Sequence, residues 1–293
     1  MIMEKGELLG KGMTADVYMW GQDKVLKLYK EGYPEEWIKR EAATGRKILE
    51  AGVPSPAVFD MVEIDGLKGI ILQRIVGKSM LAILEKEPWR FHSFVQELAG
   101  FQHKIHKCSS EGLPSQKEKF SLAIALSSGI LGDKAKRIID FVDTLPEGDS
   151  ICHGDLYLDK IIVSNDKLVA IDWSGAYRGD PSGDVARTCL IINSPVVPPG
   201  IPDIAGTMSA FPKWMTCRLY LNEYMRASKA KLENLDAWML PLAAARLSAR
   251  IPGEEKWLME IINKRLQKLK LCHTQILSPT LCVGELNWEC REA

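Results

Sequence analysis

The stretch that decides the fold reads Cys152-His153-Gly154-Asp155-Leu156-Tyr157-Leu158-Asp159-Lys160 and is followed by Ile171-Asp172-Trp173. Between the two segments, residues 161–163 and 168–173 read as short strands around a turn at 164–167. Asp155 and Asp172 then stand one hairpin apart, so their carboxylates can reach one cleft. One carboxylate can accept a hydroxyl proton while the other holds a metal ion. The alternative interpretation is that both are ordinary turn residues, as a lone Asp beside a Gly usually is.

Upstream, Gly10-Lys11-Gly12-Met13-Thr14-Ala15-Asp16-Val17 fits the Gly-x-Gly-x-x-(Gly)-x-Val loop that bends over nucleotide phosphates, with Ala15 at the third glycine position. This pattern is weak on its own, because glycine-rich hairpins are common. Val25-Leu26-Lys27-Leu28 then centres a lysine on an apolar strand, where an ammonium group needs partners. Phosphate oxygens and the Glu41 carboxylate are suitable partners. A surface salt bridge is the alternative interpretation for Lys27 and Glu41.

The rest of the pattern divides the chain near residue 75. β-leaning runs at 7–20, 24–29, 57–64 and 67–75, with a helix between Pro34 and Gly52, predict an antiparallel sheet with one helix. After Gly77 the periodicity predicts helices at 79–87, 89–106, 120–131 and 134–144, and again from Asp184 onward. We therefore expect an α+β fold with two unequal lobes, residues 1–75 and residues 76–293.

Composition excludes several classes of protein. The chain has 293 residues, 46% of them hydrophobic, which is typical of a globular protein rather than a disordered or fibrous one. Its 38 Lys and Arg balance its 38 Asp and Glu, so it lacks the basic excess that favours nucleic acid or anionic membranes. Apolar runs are too short for a membrane span, and the seven cysteines are odd in number with no Cys-x-x-Cys pair. These features predict a cytoplasmic protein without nucleic-acid or membrane partners; they do not predict an oligomeric state.

The order of these motifs resembles the protein-kinase-like fold, and within it the aminoglycoside phosphotransferase and choline-kinase-like family of small-molecule kinases. His153-Gly154-Asp155-Leu156 stands where protein kinases have His-Arg-Asp-Leu, and Ile171-Asp172-Trp173 stands where they have Asp-Phe-Gly. Gly179-Asp180-Pro181-Ser182-Gly183-Asp184-Val185-Ala186 is similar to the family's Gly-Asp-Pro followed by Asp-Leu-Ala. The resemblance extends from about Gly10 to about Leu190.

The resemblance implies an ATP-dependent kinase that uses Mg²⁺ and phosphorylates a hydroxyl of a small aminoglycoside-, amino-alcohol- or sugar-like molecule. Residues 1–75 would bind the nucleotide, and residues 76–293 would hold the catalytic and substrate-binding residues. Asp155 would be the catalytic base and Asp172 the Mg²⁺ ligand. His153 and Asp184 would support the catalytic loop without touching substrate.

The same resemblance assigns the nucleotide contacts. Lys27 would grip the α- and β-phosphates, with Glu41 positioning it. The glycine loop would cover the phosphates, and adenine would lie against the inter-lobe connection at residues 73–75. The residues implied to bind nucleotide are Gly10, Gly12, Thr14, Val17, Lys27, Glu41, Gln73, Ile75 and Lys160.

Lys160 departs from the family pattern, which places a metal-binding Asn five residues after the base. An ammonium group has three donors and no acceptor, so it cannot bind a metal ion. Three interpretations follow: the Lys160 charge replaces a second metal ion, the neighbouring Asp159 supplies the missing oxygen ligand, or the chain binds nucleotide without catalysing transfer.

The acceptor is not identified by the sequence. Residues 200–240 carry four acids and five bases, which gives no support for a polycationic aminoglycoside. Protein phosphorylation is a weaker hypothesis, because no Ala-Pro-Glu segment follows Asp172 and little chain is left for an activation loop.

Overall fold

The computed structural model describes residues 5–196, 212–229 and 234–274. The strands are β1 Leu8–Lys11, β2 Ala15–Trp20, β3 Lys24–Tyr29, β4 Val58–Ile64, β5 Leu67–Gln73, β6 Lys78–Ser79, β7 Ser150–Cys152, β8 Ile161–Ser164, β9 Lys167–Ala170 and β10 Tyr177–Gly179. The helices are α1 Glu35–Glu50, α2 Met80–Leu84, α3 Phe91–His106, α4 Gln116–Leu126, α5 Ser128–Leu131, α6 Lys134–Thr144, α7 Pro181–Ile192, α8 Lys213–Ser228, α9 Leu235–Arg246 and α10 Glu255–Thr274. The predicted α+β class is confirmed. The lobe boundary at residue 75 stays a prediction.

The first five strands form one antiparallel sheet in the order β1-β2-β3-β5-β4. In this sheet Lys27 lies opposite Val17 of β2 and Ile70 of β5, so a strand flanks the lysine on each side. The hairpin predicted at Asp65-Gly66 joins β4 to β5, and both residues have the positive φ that such a turn needs. The sheet thus holds the glycine-rich turn and Lys27 on adjacent strands.

Helix α1 lies where the sequence predicts it, between Pro34 and Gly52. Trp37, Ala42, Ile48 and Leu49 fit helical spacing in this segment; Ala42 and Ile48 are buried, whereas Trp37 and Leu49 are 45% and 40% exposed. The other buried positions are Ile38, Thr44 and Gly45. Ala42 and Ile38 pack on Ile70 and Tyr29 of the sheet, so Glu41, beside Ala42, lies next to β3.

The chain after β6 is mainly helical and contains the largest hydrophobic core, to which α1 contributes Ile48. The prediction for α6 is confirmed at both ends, whereas α4 starts at Gln116 rather than at Phe120 and a break at Ser127 separates it from α5. Strand β9 ends at Ala170 rather than at Trp173, because Asp172 adopts a left-handed conformation that ends the strand geometry. Strands β6, β7 and β10 were not predicted, because two or three residues are too few to show the alternation of apolar and polar side chains that indicates a strand.

Two small sheets support the segment between β7 and α7. Strand β7 pairs with β10, and β6 pairs with β8 in a three-stranded sheet with β9. The pairing of β7 with β10 fixes the residues just before His153. The pairing of β6 with β8 places the chain after residue 77 beside the hairpin that separates Asp155 from Asp172. Within the described residues, no helix combines the length and the apolar composition that crossing a membrane requires.

Candidate active site

Lys27 is the centre of an ion cluster that joins the two parts of the chain. Its Nζ donates to Glu41 Oε1 at 2.6 Å and to Asp172 Oδ1 at 2.8 Å. Tyr29 donates its hydroxyl to the other Glu41 oxygen at 2.7 Å, which fixes the carboxylate. Burial alone would lower the pKa of Lys27, but Asp172 and Glu41 raise it well above its ordinary value. The partner that the sequence proposed for Lys27 is therefore present, and the pair is mostly shielded from solvent, with 12% and 10% of the two side chains exposed.

Asp172 is held by a second ammonium group as well. Lys160 donates to Asp172 Oδ2 at 2.5 Å, and Ser174 donates its hydroxyl to Oδ1 at 3.2 Å. Burial alone would raise the pKa of Asp172, but Lys27 and then Lys160 hold it well below its usual range. Asp172 has φ 68° and ψ 68°, a conformation that costs free energy for a residue with a side chain and that recurs at functional sites.

Asp155 follows a turn that only glycine allows. Gly154 has φ +77°, and a Cβ on it would lie 2.3 Å from the Gly175 carbonyl oxygen. The Asp155 side chain is 33% exposed, and its closest charged neighbour is Arg187, whose Nη2 lies 3.8 Å from Oδ1. Among the described residues, no group donates a hydrogen bond to this carboxylate. Asp155 is therefore a carboxylate left available at the cleft.

The loop before Asp155 is held from beneath by a buried network. Asp184 accepts hydrogen bonds from the backbone N–H of His153 at 3.1 Å and of Gly154 at 2.7 Å. Gln102 and His106 of α3 donate to the same carboxylate at 2.8 and 3.0 Å. The expectation that Asp184 supports this loop is confirmed.

His153 ties the loop to the strand that precedes Asp172. Its Nε2 donates to the Ile171 carbonyl at 3.1 Å, and its Nδ1 accepts from the Asp155 N–H at 3.3 Å. Burial lowers the pKa of His153, in keeping with this neutral arrangement. One imidazole thus contacts both acidic segments; its support of the loop before Asp155 was expected, and its bond to Ile171 was not.

The two glycines of the turn between β1 and β2 differ in their surroundings. Gly12 packs against the turn itself, whereas Gly10 faces open space. A Cβ on Gly12 would meet the Ala15 carbonyl oxygen at 2.7 Å, within a turn closed by the Gly12 N–H to Ala15. A Cβ on Gly10 would meet no atom within 4 Å. The open space beside Gly10 is compatible with close approach of a ligand to the backbone.

A single cleft of about 1360 Å³ brings the predicted residues together. Its lining includes every residue that the sequence implicates: Gly10, Gly12, Thr14, Val17, Lys27, Glu41, Gln73, Ile75, Asp155, Lys160 and Asp172. Gln73 is partly engaged in the sheet, since its side-chain Oε1 accepts from the Ala57 N–H at 3.3 Å and its own N–H donates to the Ala57 carbonyl. Asp159 also lines the cleft, but its carboxylate accepts a hydrogen bond from Ser79 at 2.7 Å.

Two cations beside the site were missed by the sequence analysis. Lys119 of α4 donates to the carbonyls of Gly175 at 2.6 Å and Ser174 at 3.2 Å, which follow Asp172. Burial, and then the charges of Arg187 and Arg40, lower the pKa of Lys119 to about 8. Arg187 of α7 donates from Nε to the Gly154 carbonyl at 3.1 Å. Neither residue belongs to a local motif, because their contacts join segments more than 30 residues apart.

The donor set at Asp172 fits one magnesium ion in the form that nucleotide sites use. Mg²⁺ takes one or two protein carboxylates and completes its octahedron with phosphate oxygens and water. Asp172 offers such a carboxylate at the cleft. Lys160 offers none, and Asp159 accepts a hydrogen bond from Ser79 at Oδ1 only. The described residues therefore fit a magnesium ion held by the Asp172 carboxylate, and Lys160 adds no ligand for a second ion.

Comparison with solved structures shows the same fold. A thermostable mutant of aminoglycoside phosphotransferase APH(4)-Ia superposes with a TM-score of 0.61 at 16% identity, over 89% of this chain and 94% of that one. The amicoumacin kinase hAmiN, solved with AMP-PNP, Ca²⁺ and amicoumacin, gives a TM-score of 0.60 at 12% identity, over 90% and 91%. A choline/ethanolamine kinase family protein from Mesorhizobium loti gives 0.54 at 15% identity, over 96% and 92%.

Sequence comparison identifies the family directly. No curated protein sequence matches the chain significantly. A model of the phosphotransferase enzyme family matches residues 5–220, which include the glycine turn, Lys27, Glu41 and both acidic segments. The resemblance stated from the motifs is thus confirmed over most of the chain. The chain belongs to the phosphotransferase enzyme family.

Proposed function

We propose that this protein is an ATP-dependent kinase that transfers the γ-phosphate to a hydroxyl of a small molecule. The observation that carries this proposal is the ion cluster in which Lys27, positioned by Glu41, meets Asp172 in the cleft that Asp155 also lines. Phosphoryl transfer requires alignment and charge neutralisation more than covalent chemistry, and these side chains supply both. Support also comes from the family match and from the fold shared with aminoglycoside phosphotransferases.

In this proposal the two carboxylates have different roles. Asp155 has no hydrogen-bond donor among the described residues, so it can accept the proton of an acceptor hydroxyl and orient its oxygen. Asp172 holds the magnesium ion, and the bound ion would neutralise charge on the β- and γ-phosphates. Lys27 binds the α- and β-phosphates, which replace Asp172 as its second partner. The Gly10–Val17 turn covers the phosphates, and adenine lies against residues 73–75.

Lys160 has a defined place in this scheme. Its ammonium group is 2.5 Å from Asp172 Oδ2, whereas Lys27 bonds the other carboxylate oxygen, Oδ1. A cation at this point can neutralise phosphate charge without acting as a metal ligand. We propose that Lys160 takes the place of a second metal ion, and that Asp159 stays bound to Ser79.

A nucleotide-binding protein without transferase activity is the second candidate. It is favoured by one observation: both oxygens of Asp172 already have an ammonium partner, so a magnesium ion would compete with these cations for the carboxylate. Nucleotide binding that does not depend on Mg²⁺ is the property that distinguishes this candidate from an active kinase.

The test combines nucleotide binding with turnover. We expect AMP-PNP to raise the thermal stability of the parent chain more strongly with Mg²⁺ than without it, and coupled ADP release to reveal turnover with a hydroxylated acceptor. Asp155→Ala should bind AMP-PNP normally and lose about 10²- to 10⁴-fold in turnover, the range for a removed general base. Asp149→Ala is the matched control, since that side chain is 91% exposed and lies just before β7. Mg²⁺-independent binding without turnover on any acceptor would favour the second candidate.

A further inference from the structure

We propose that the acceptor carries an anionic group, a carboxylate or a phosphate ester, and that it binds in the part of the cleft lined by α7, α8 and α9. This inference rests on the proposed function, because it concerns the molecule whose hydroxyl Asp155 would activate. Such an acceptor differs from an amine-bearing one, because an amine would need free carboxylates around Asp155. Three features of the described residues support this proposal. They are the charges of the region, the start of α8, and a buried hydroxyl that has no hydrogen-bond partner among these residues.

The described cations of this region exceed its carboxylates by one charge. Arg187, Lys213 and Arg246 line the cleft on this side; Glu254 neutralises Arg246, and Asp155 is the one carboxylate among the described lining residues there. The carboxylates on the other side are paired, Glu41 and Asp172 with lysines and Asp159 with Ser79. A polycationic acceptor would therefore meet like charges and find few partners.

Glu254 lies next to this region but cannot serve an amine. Its side chain is buried and forms a bidentate pair with Arg246, at 2.6 and 2.7 Å. Ser194 donates its hydroxyl to the same carboxylate at 2.5 Å. Both of its oxygens are thus engaged by donors of the chain. Breaking this pair would leave a buried charge without a partner, which is costly.

Arg187 has one carboxylate near it among the described residues, and the two are not hydrogen-bonded. That carboxylate, Asp155, is 3.8 Å away, and Arg187 Nε donates to a neutral carbonyl at Gly154. Burial, and then the charge of Arg246, lower the pKa of the Arg187 guanidinium. An anion in the cleft would offset both effects, and guanidinium groups bind carboxylate and phosphate well.

Lys213 begins α8 and adds a charge at the helix end where backbone N–H groups lack partners. The first turn of α8 contains no acidic residue. Lys213 donates to the Ser194 carbonyl, and no carboxylate of the described residues pairs with it. The helix dipole and the ammonium group therefore attract the same kind of ligand, an anion.

Thr216 gives an independent indication of a ligand in the same place. It lines the cleft one turn after Lys213, and its side chain is buried, with 2% of the residue exposed. Its hydroxyl has no hydrogen-bond partner within the described part of the chain. A buried hydroxyl without a partner is costly and uncommon, so a ligand oxygen is a natural partner for it.

The test uses four hexoses that share a ring and differ in charge: D-glucose, D-glucosamine, D-glucuronate and D-glucose 6-phosphate. Each is added at millimolar concentration to the parent chain already bound to AMP-PNP and Mg²⁺, and the thermal shift and affinity are measured. We expect D-glucuronate or D-glucose 6-phosphate to bind more tightly than D-glucose, and D-glucosamine to bind more weakly. The comparison of the two anions distinguishes a carboxylate from a phosphate. Equal binding of all four, tighter binding of D-glucosamine, or failure of both anions to exceed D-glucose would overturn the proposal.

Two variants connect the result to the residues. Lys213→Gln should weaken the preferred anion about tenfold, the scale of one charge-assisted hydrogen bond, and leave D-glucose unaffected. Thr216→Val should weaken the anion and leave thermal stability unchanged or slightly raised, because it removes an unpaired buried hydroxyl. Arg218→Gln, an exposed cation on the same helix outside the cleft, is the control. Unchanged anion affinity in both Lys213→Gln and Thr216→Val would overturn the proposed location. Failure of AMP-PNP to bind at all would instead contradict the proposed function, so the two failures are distinguishable.

Discussion

Asp172 and Asp184 are twelve residues apart in the chain, and their surroundings differ in one instructive respect. Asp172 is 29% exposed and is held by the ammonium groups of Lys27 and Lys160. Asp184 is buried and is held by two backbone N–H groups, an amide and an imidazole, which are all fixed parts of the chain.

The partners explain what each carboxylate can do. Ammonium groups on long side chains can exchange a carboxylate for phosphate oxygens, so the Asp172 cluster can open when a ligand arrives. The donors to Asp184 belong to α3 and to the backbone of the loop before Asp155, so they are fixed by the buried core rather than carried on long mobile side chains. We infer that the first cluster is functional and the second is structural, although the pKa of both carboxylates is held below its ordinary value.

Neutralising each carboxylate in turn should give the largest difference between the two sites. Asp184→Asn should lower the free energy of unfolding by about 3 kcal/mol, because its new NH₂ group faces donors in a buried site. Asp172→Asn should cost less unfolding free energy than Asp184→Asn, because its partners are lysines on long side chains that can turn toward water, and it should abolish turnover. Urea unfolding and coupled ADP release measure the two effects. Equal loss of stability in both variants would contradict the distinction.

The next effect concerns Lys119, which holds the chain just after Asp172. With its pKa lowered to about 8 in the folded protein and ordinary in the unfolded one, the unfolded state binds more protons between pH 8 and 10. The free energy of unfolding attributable to Lys119 should therefore rise with pH in this window, by up to about 2 kcal/mol. Urea unfolding of the parent chain and of Lys119→Met at pH 7, 8, 9 and 10 isolates the effect, because tyrosines and other lysines are common to both. A constant difference across this range would contradict it.

Lys160 tests the functional cluster itself. Lys160→Asn should reduce turnover about tenfold and make ATP binding depend more steeply on Mg²⁺, because a charge is lost and a neutral oxygen ligand is gained. Lys160→Met removes the charge without offering a ligand, so it should lose turnover without the steeper Mg²⁺ dependence. Calorimetric titration of ATP at several Mg²⁺ concentrations gives the second measurement. Higher turnover in Lys160→Asn than in the parent chain would mark Lys160 as a lesion.

The smallest effect is expected at Tyr29, which fixes Glu41 behind Lys27. Tyr29→Phe removes one hydrogen bond to the carboxylate and should cost about 1 kcal/mol of unfolding free energy, with ATP bound a few-fold more weakly. Tyr33→Phe is the matched control, because that ring stacks on Tyr29 at 5.0 Å and its hydroxyl has no bond to Glu41. Similar losses in both variants would show that ring packing, not the hydrogen bond, supports Glu41.

Residue patterns along the chain predicted the helices that have clear end signals. They did not predict the short strands, which form only because they pair with distant strands. Helix α1 was found from Pro34 and Gly52, and α6 from its periodicity. The orientation of α1 was less well predicted, since the exposed Trp37 fits the apolar spacing although the sheet packs on Ile38. Strands β7 and β10 are three residues each and exist because they pair with one another across 25 residues of chain.

The sequence by itself determined the order of motifs, and with it the family, the α+β class and the identity of the residues around the cleft. These follow from residue types at fixed spacing, which the chain carries in any conformation. Only the tertiary structure decided that Lys160 bonds Asp172, that Asp159 accepts a hydrogen bond from Ser79, and that Arg187, Lys213 and Arg246 line the same cleft as Asp155. Such contacts join segments that are distant in sequence or depend on side-chain direction, and no local pattern encodes either property.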